Sequence, residues 1–399
     1  MLVQVSAESS GVEKRPAAWG AVFATSLCIF ALVASEMMPV SLLTPIASDL
    51  GITEGQAGQA ISVSGVFAVL TSLFIFSMVG RLDRKILLLA LTAVMIVSGI
   101  IVAVAPNYVT FIVGRALVGV VIGGFWSMSA AIGMRLVPDD QAPRALAIFN
   151  GGNALAMVIA APLGSFLGGL IGWRGAFFCV VPVAVIVFVW QLLSLPAMKV
   201  EERPASGNVF KLLRRRVVAL GMAAVSVFFM GQFTLFTYLR PFLETVTHVR
   251  GSTLSLLMLM MGVTGFIGTM LIGAFLKNGV YRTLVVIPLL MATIAVALVA
   301  IGGWVAAAAL LLTLWGLFST SAPVGWLTWL SRTLPRDAEA GGGLMAAVVQ
   351  FAITLGVTVG GFLFDMSGYQ VTFSASAVLL MIAAALAVLT SREAQARPT

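Results

Sequence analysis

Along this chain apolar residues come in long blocks, not in the one-sided stripes of water-facing helices or the alternation of half-buried strands. The blocks fall near 17–42, 54–79, 86–105, 108–135, 144–171, 174–195, 217–240, 252–276, 283–303, 304–331, 340–365 and 370–390. Each approaches the roughly 20 helical residues that cross a hydrocarbon core of about 30 Å. Strands of a membrane barrel would be shorter and would alternate in polarity. The pattern predicts an all-α integral membrane protein with twelve transmembrane helices. Connections are short except for Leu195 to Arg216 (LPAMKVEERPASGNVFKLLRRR). The expected organisation is a tail over 1–16, a six-helix bundle over 17–195, a linker over 196–216, a second six-helix bundle over 217–390 and a tail over 391–399.

Composition agrees. Of 399 residues, 60% are hydrophobic and 10% charged, against about 25% charged in soluble domains. Too few charges are present to cover a water-facing surface. The net charge of +8 raises nucleic acid as a partner, and the placement of the charges removes it. Nineteen Lys and Arg fall at the termini and in alternate loops, while three (Arg174, Arg240 and Arg250) fall on the other side and Arg115 lies within a span. That sorting places both termini and the central loop in the cytoplasm. The first apolar block follows Lys14 and Arg15 and runs for a full span, which reads as a helix and not as a cleaved leader. Cys28 and Cys179 sit in separate apolar blocks and suggest neither a disulfide nor a zinc site. The sole histidine, His248, is in a loop, and no GxxxxGK[ST] nucleotide loop occurs. No enzyme, metal or cofactor is expected, and ATP does not drive the protein directly.

The two halves show an internal repeat. Pro45 and Pro241, Arg81 and Lys277, Gly164 and Gly360, and Trp173 and Tyr369 recur at one common offset. Such pairs favour two pseudo-symmetric, duplicated bundles. At the same offset Glu36 faces Gln232, so a charge-dependent task belongs to the first bundle.

Within the spans ionisable groups are expensive, about 2.5–3.5 kcal/mol at a helix centre. Among acids only Glu36 lies deep, and among bases only Arg115. Counting back from Pro45 and forward from Asn107 puts both roughly 12–13 Å from the same membrane edge. A shared polar cavity with Arg115 pairing Glu36 is the expectation. The plainer readings are a protonated carboxyl bonded to a neighbouring helix and an arginine bonded to backbone carbonyls. Substrate-site candidates are Trp126, Asn150, Asn153, Gln232, Phe233, Trp326 and Gln350, since amides orient a flat neutral solute and aromatic faces stack on it. The aromatics are also ordinary packing residues. Gly119, Gly123, Pro162, Gly164, Gly168, Gly356 and Gly360 mark small-residue seams where helices approach closely and hinge.

The motifs carry a family resemblance. RALVG (Arg115 to Gly119) resembles the RxxxG motif in the fourth helix of proton antiporters. The segment around Ala161, Pro162 and Gly164 resembles the antiporter motif of the fifth, with Ala161 and Ser165 where that motif usually has glycine. VGRLDRK, with Gly80, Leu82, Asp83 and Arg84, resembles a shortened form of the loop motif that braces the cytoplasmic gate. With EMMPVSLLTPIASDLGI, GGFWSMSA, APLGSFLGGLIGWR, GQFTLFTYLRP and PVGWLTWL, the chain resembles the drug:proton antiporter branch of the major facilitator superfamily over nearly its whole length. Within that branch it is similar to bacterial purine ribonucleoside efflux pumps.

That resemblance implies a bacterial inner-membrane monomer that exports purine ribonucleosides such as inosine against protons by alternating access. Glu36 and Arg115 would take part in coupling. Multidrug or sugar efflux by the same fold is the first alternative, although the scarcity of deep acids argues against cationic drugs. A non-transporting membrane receptor or regulator is the second.

Overall fold

The computed structural model describes residues 17–79, 82–138, 141–198, 209–334 and 338–396. They form α1 (Trp19–Leu50), α2 (Glu54–Val79), α3 (Arg84–Ala103), α4 (Tyr108–Leu136), α5 (Ala142–Phe178), α6 (Val180–Ser194), α7 (Arg216–Phe236), α8 (Leu239–Thr245), α9 (Gly251–Asn278), α10 (Val280–Ile301), α11 (Val305–Thr333) and α12 (Ala338–Gln395). Ten helical stretches among the described residues are long and apolar enough to cross a membrane. Many large side chains on them face outward, among them Phe74, Leu170 and Leu193, as lipid-facing surfaces require. The chain is a multi-pass membrane protein. The expected N-terminal tail, Gly80 and residues 199–208 of the central linker lie outside the described residues.

Two ends can be told apart. At one, Gly51 takes a left-handed φ of 64° and closes α1, and Tyr108 at the start of α4 donates to the Gln56 carbonyl at 3.2 Å. Thr53 and Gln56 cap α2 reciprocally, Gln56 N to Thr53 Oγ1 at 3.0 Å and Thr53 N to Gln56 Oε1 at 3.1 Å, the capping-box arrangement. At the other end Asp83 caps α3 and also accepts from Met198 N at 2.8 Å. These are the Gly51 end and the Asp83 end below.

Two helical stretches, Arg144–Ser194 and Gly341–Gln395, exceed what one crossing needs. Each is interrupted by one glycine, Gly172 with φ 76° and Gly368 with φ 73°, a region that side chains with a Cβ avoid. The two glycines immediately precede the repeat-related pair Trp173 and Tyr369. Around Gly172 the chain reverses, because Arg174 returns to bond Asp49 and the Ala105 carbonyl at the Gly51 end while Met198 meets Asp83 at the other.

Prolines shape the interhelical contacts. A proline inside a helix removes its own N–H and so frees the carbonyl four residues earlier. α1 runs through Pro39 and Pro45 without stopping, beyond the end expected near residue 42, which leaves the Ser35 and Ser41 carbonyls without their helical donors. Pro162 in α5 does the same for Val158. All three carbonyls are met by other helices. Arg115 donates to Ser35 at 2.8 Å, Arg240 donates to Ser41, and Gly262 of α9 approaches Val158 so closely that a Cβ there would lie 2.5 Å from its oxygen. At Pro241, the repeat partner of Pro45, the outcome differs: α7 stops at Phe236 and α8 begins at Leu239.

Helices of each half of the chain pack mainly on one another: α1 on α5 and α6, α2 on α4, α7 on α12, and α9 on α11. The halves meet where α2 lies on α12, α5 on α9, and α1 on α8.

Candidate functional site

Arg115 projects from α4 and is buried, as is Glu36 on α1. The fourth helix brings the guanidinium level with Glu36, as counted from the sequence. The guanidinium bonds the backbone, however, and not the carboxylate. Nη1 donates to the Ser35 carbonyl at 2.8 Å, Nη2 to the Glu36 carbonyl at 3.3 Å and Nε to Ala60 at 3.4 Å. The plainer expectation for this arginine therefore describes its contacts, and Pro39 supplies the reason: the Ser35 carbonyl needs a donor. Ser64 adds a hydroxyl bond to the Arg115 carbonyl at 2.8 Å.

The Glu36 carboxylate instead accepts from the second half of the chain, from Gln350 Nε2 on α12 at 3.3 Å. The Gln350 Oε1 atom is buried without a partner, and so is Gln232 Oε1 on α7. These unmatched acceptors could receive hydroxyl or N–H donors from a solute. Among the sequence-derived candidates, Glu36, Arg115 and Gln350 are thus brought together.

The remaining candidates are spread out. Phe233 is buried edge-on to Phe236 at 5.7 Å. Trp326 is buried edge-on to Trp329 at 5.9 Å and belongs to the core. Trp126 is half-buried beside Phe125. Asn150 is exposed and Asn153 half-buried. Asp83 and Arg84 are tied by backbone and carboxylate bonds to Met198 of their own half, and Gly80 lies outside the described residues.

The predicted glycine seams are real close approaches, and they lie inside each half. A Cβ on Gly119 or Gly123 would strike the Ser64 or Ala68 carbonyl of α2, one on Gly164 or Gly168 would strike Ser41 or Leu42 of α1, and one on Gly356 or Gly360 would strike Met230 or Thr234 of α7. Pro162, two residues before Gly164, serves a different contact, since the Val158 carbonyl it frees faces Gly262 of α9. The seam between halves uses other glycines, Gly55 against Gly361, Gly65 against Thr354, and Gly262 against Val158.

The described hydrogen bonds that cross between halves run from the Glu36 level to the Gly51 end. Thr358 Oγ1 lies 2.9 Å from Ser62 Oγ, Ser62 donates to the Thr354 carbonyl at 3.3 Å, and Ser255 Oγ donates to Ser165 Oγ at 3.0 Å. Arg240 and Asp365 add two charged crossings. In the sequence Arg240 counted only as one of three basic residues on the non-cytoplasmic side. The signal that could have found Arg240 is Pro45, which predicts an orphan carbonyl at Ser41.

The Major Facilitator Superfamily model matches residues 25–341. The chain belongs to the Major Facilitator Superfamily. Among relatives in the superfamily, the transcription regulatory protein OpdE of Pseudomonas aeruginosa is 63% identical over 378 residues, covering 94% of each chain. The purine ribonucleoside efflux pump NepI of Salmonella enteritidis is 40% identical over 366 residues, covering 92% of each. The crystal structure of a bacterial homologue of the human lysosomal transporter Spinster, inward-facing and unoccupied, superposes with a TM-score of 0.78 at 16% identity, over 96% of this chain and 99% of that one. That likeness places the fold among superfamily transporters.

Proposed function

We propose that this superfamily transporter is a bacterial inner-membrane exporter of purine ribonucleosides, driven by protons and working as a monomer by alternating access. We count the stretches broken at Gly172 and Gly368 as two spans each, which makes twelve spans in two six-helix bundles, 17–195 and 217–390. The Asp83 end, rich in Lys and Arg, is taken as cytoplasmic under the positive-inside rule, with both termini there.

The observation that carries the mechanism is the Glu36–Gln350 bond, which ties the one deep carboxyl of the first half to the second half. A carboxylate only accepts, as it does here from the amide nitrogen, whereas a protonated carboxyl also donates through its O–H and needs an acceptor for it. Gln350 Oε1 stands unused for that role. Proton binding therefore changes which partner the amide presents across the seam, and a two-state protein is biased by such a change. Arg115 keeps a positive field beside this carboxyl while its hydrogen bonds hold α1 in place. Gln232 and Gln350 offer acceptors that suit ribose hydroxyls and purine N–H groups, and the nucleoside reading draws on the 40% identical pump.

In proteoliposomes, adding inosine should move protons with the intact protein and not with Glu36→Gln, which keeps the shape and loses the titration. Full proton movement by the glutamine variant sinks the coupling role. No response from either protein sinks the nucleoside reading.

A second reading is favoured by one observation, the regulatory name of the 63% identical relative. In it the same site senses a solute without transporting it. Binding of inosine to purified protein with no flux in vesicles would support sensing.

A further inference from the structure

Two charged side chains at the Gly51 end reach across the seam, each to a backbone atom of the opposite half and one of them also to a hydroxyl. Arg240, on α8, has Nε fixed by Glu244 Oε1 at 2.9 Å, one helical turn on. This leaves Nη1 aimed at the Ser41 carbonyl of α1, the atom that Pro45 deprives of its helical donor. Asp365, on α12, accepts from Thr53 Oγ1 at 2.6 Å and from Gly55 N at 3.0 Å. Thr53 is the cap of α2 and Gly55 lies in its first turn, where backbone N–H groups lack helical partners and the helix end is electropositive. The Gly55 position must be glycine for this approach, since a Cβ there would collide with Asp365 and with the Gly361 carbonyl.

We propose that Arg240 and Asp365 are positioning residues of the transport cycle: they hold the Gly51 end shut by completing the backbone of the opposite half, and their release sets how readily that end opens. This rests on the alternating-access reading. The two contacts complement each other. The basic one fills an orphan acceptor and the acidic one orphan donors, and each charge is balanced within the closed seam, by Glu244 or by the start of α2. On opening, both side chains return to water, where they are well solvated, so the closed state is favoured without being locked. Nearer this end the other crossings, Ser62 with Thr358 and Ser165 with Ser255, are neutral hydroxyl contacts, and the Glu36–Gln350 bond lies deeper. Charged hydrogen bonds are worth about tenfold or more each in an equilibrium, which makes these two the dominant polar terms of the seam at the Gly51 end.

The test uses the full chain with Cys28 and Cys179 replaced by serine and one Ser62→Cys, a buried position inward of the two contacts. A membrane-impermeant thiol reagent is applied from the Gly51 side. Labelling should accelerate about tenfold in Asp365→Asn or Arg240→Gln and further in the double variant, in protein that still elutes as a folded species. Unchanged labelling in folded variants overturns the proposal, since a merely structural role lowers stability without opening the seam. Where Arg240→Gln does not fold, Arg240→Lys is read instead, because it keeps the charge but cannot engage Glu244 and Ser41 together. A Ser165→Cys/Ser255→Cys pair separates the two ideas. If its oxidation arrests inosine movement reversibly while labelling ignores Arg240 and Asp365, alternating access stands and the assignment falls. If labelling responds but the cross-linked protein still transports, the contacts are confirmed as gates of the seam and alternating access falls.

Discussion

Arg115 shows how one residue can look like a charge partner in sequence and serve the backbone in structure. Its depth beside Glu36 was legible by counting helical rises from Pro45 and Asn107. Its actual acceptor, the Ser35 carbonyl, was also written in the sequence, as Pro39 four residues on, although a search for charge pairs passes over it. Arg115→Met should therefore leave a buried carbonyl unsatisfied and cost about 1–3 kcal/mol. Adding Pro39→Ala restores an N–H to that carbonyl and should return about 1 kcal/mol of the loss. Thermal unfolding in detergent of the two single variants and the double checks it: if the double is no more stable than Arg115→Met, the proline and the arginine are not partners. The Glu36 partner, Gln350, could not be read in advance, because residues 314 positions apart meet only through the packing of α2 against α12.

At the scale of elements, small residues decide which helices come close. The spacing of Gly119 and Gly123 was legible and marks the α2–α4 contact. What spacing could not tell is whether a seam lies within a half or between halves, since both need the same missing Cβ. Gly119→Ala and Gly123→Ala press a methyl into carbonyls of α2 and should destabilise by about 1–3 kcal/mol. Gly169→Ala, with nothing within 4 Å of its added methyl, should be neutral or stabilise by up to about 1 kcal/mol, because glycine is a poor helix former. Melting temperatures of the three variants make the comparison, and equal losses would mean that backbone propensity and not packing governs these positions. The helix boundaries were less legible than the helices. Pro45 reads as a stop, yet α1 continues to Leu50, because neighbouring helices supply the donors that the prolines remove. At Pro241 the break comes earlier than the expected 240: α7 stops at Phe236, and α8 runs through the proline from Leu239 to Thr245.

For the whole molecule, the apolar blocks made the membrane class plain, and repeat-related pairs pointed to duplication. The closed side was not legible, because it rests on hydroxyl and charge contacts between residues hundreds of positions apart. Since each half packs chiefly on itself, cutting the chain within 199–208 and co-expressing the two pieces should yield a complex that co-purifies and recovers a measurable share of transport. Neither piece alone should transport. If the pieces do not associate, the seam is too weak to reassemble without the covalent tether.

A seam closed by side chains on backbone atoms also bears on inheritance. In a salt bridge, two genetic positions share the constraint, and a swap at one can be answered by a swap at the other. At Arg240 the Ser41 partner offers a carbonyl that every residue type possesses, so the burden falls on one party, whereas the Asp365 contact also needs the Thr53 hydroxyl and a glycine at 55. Saturation mutagenesis scored by export should find Ser41 open to small residues of any polarity, limited by its packing on Gly164, and Arg240 and Asp365 strict, with no second-site change on α1 able to rescue the loss of Arg240 except one that restores an N–H at Pro45.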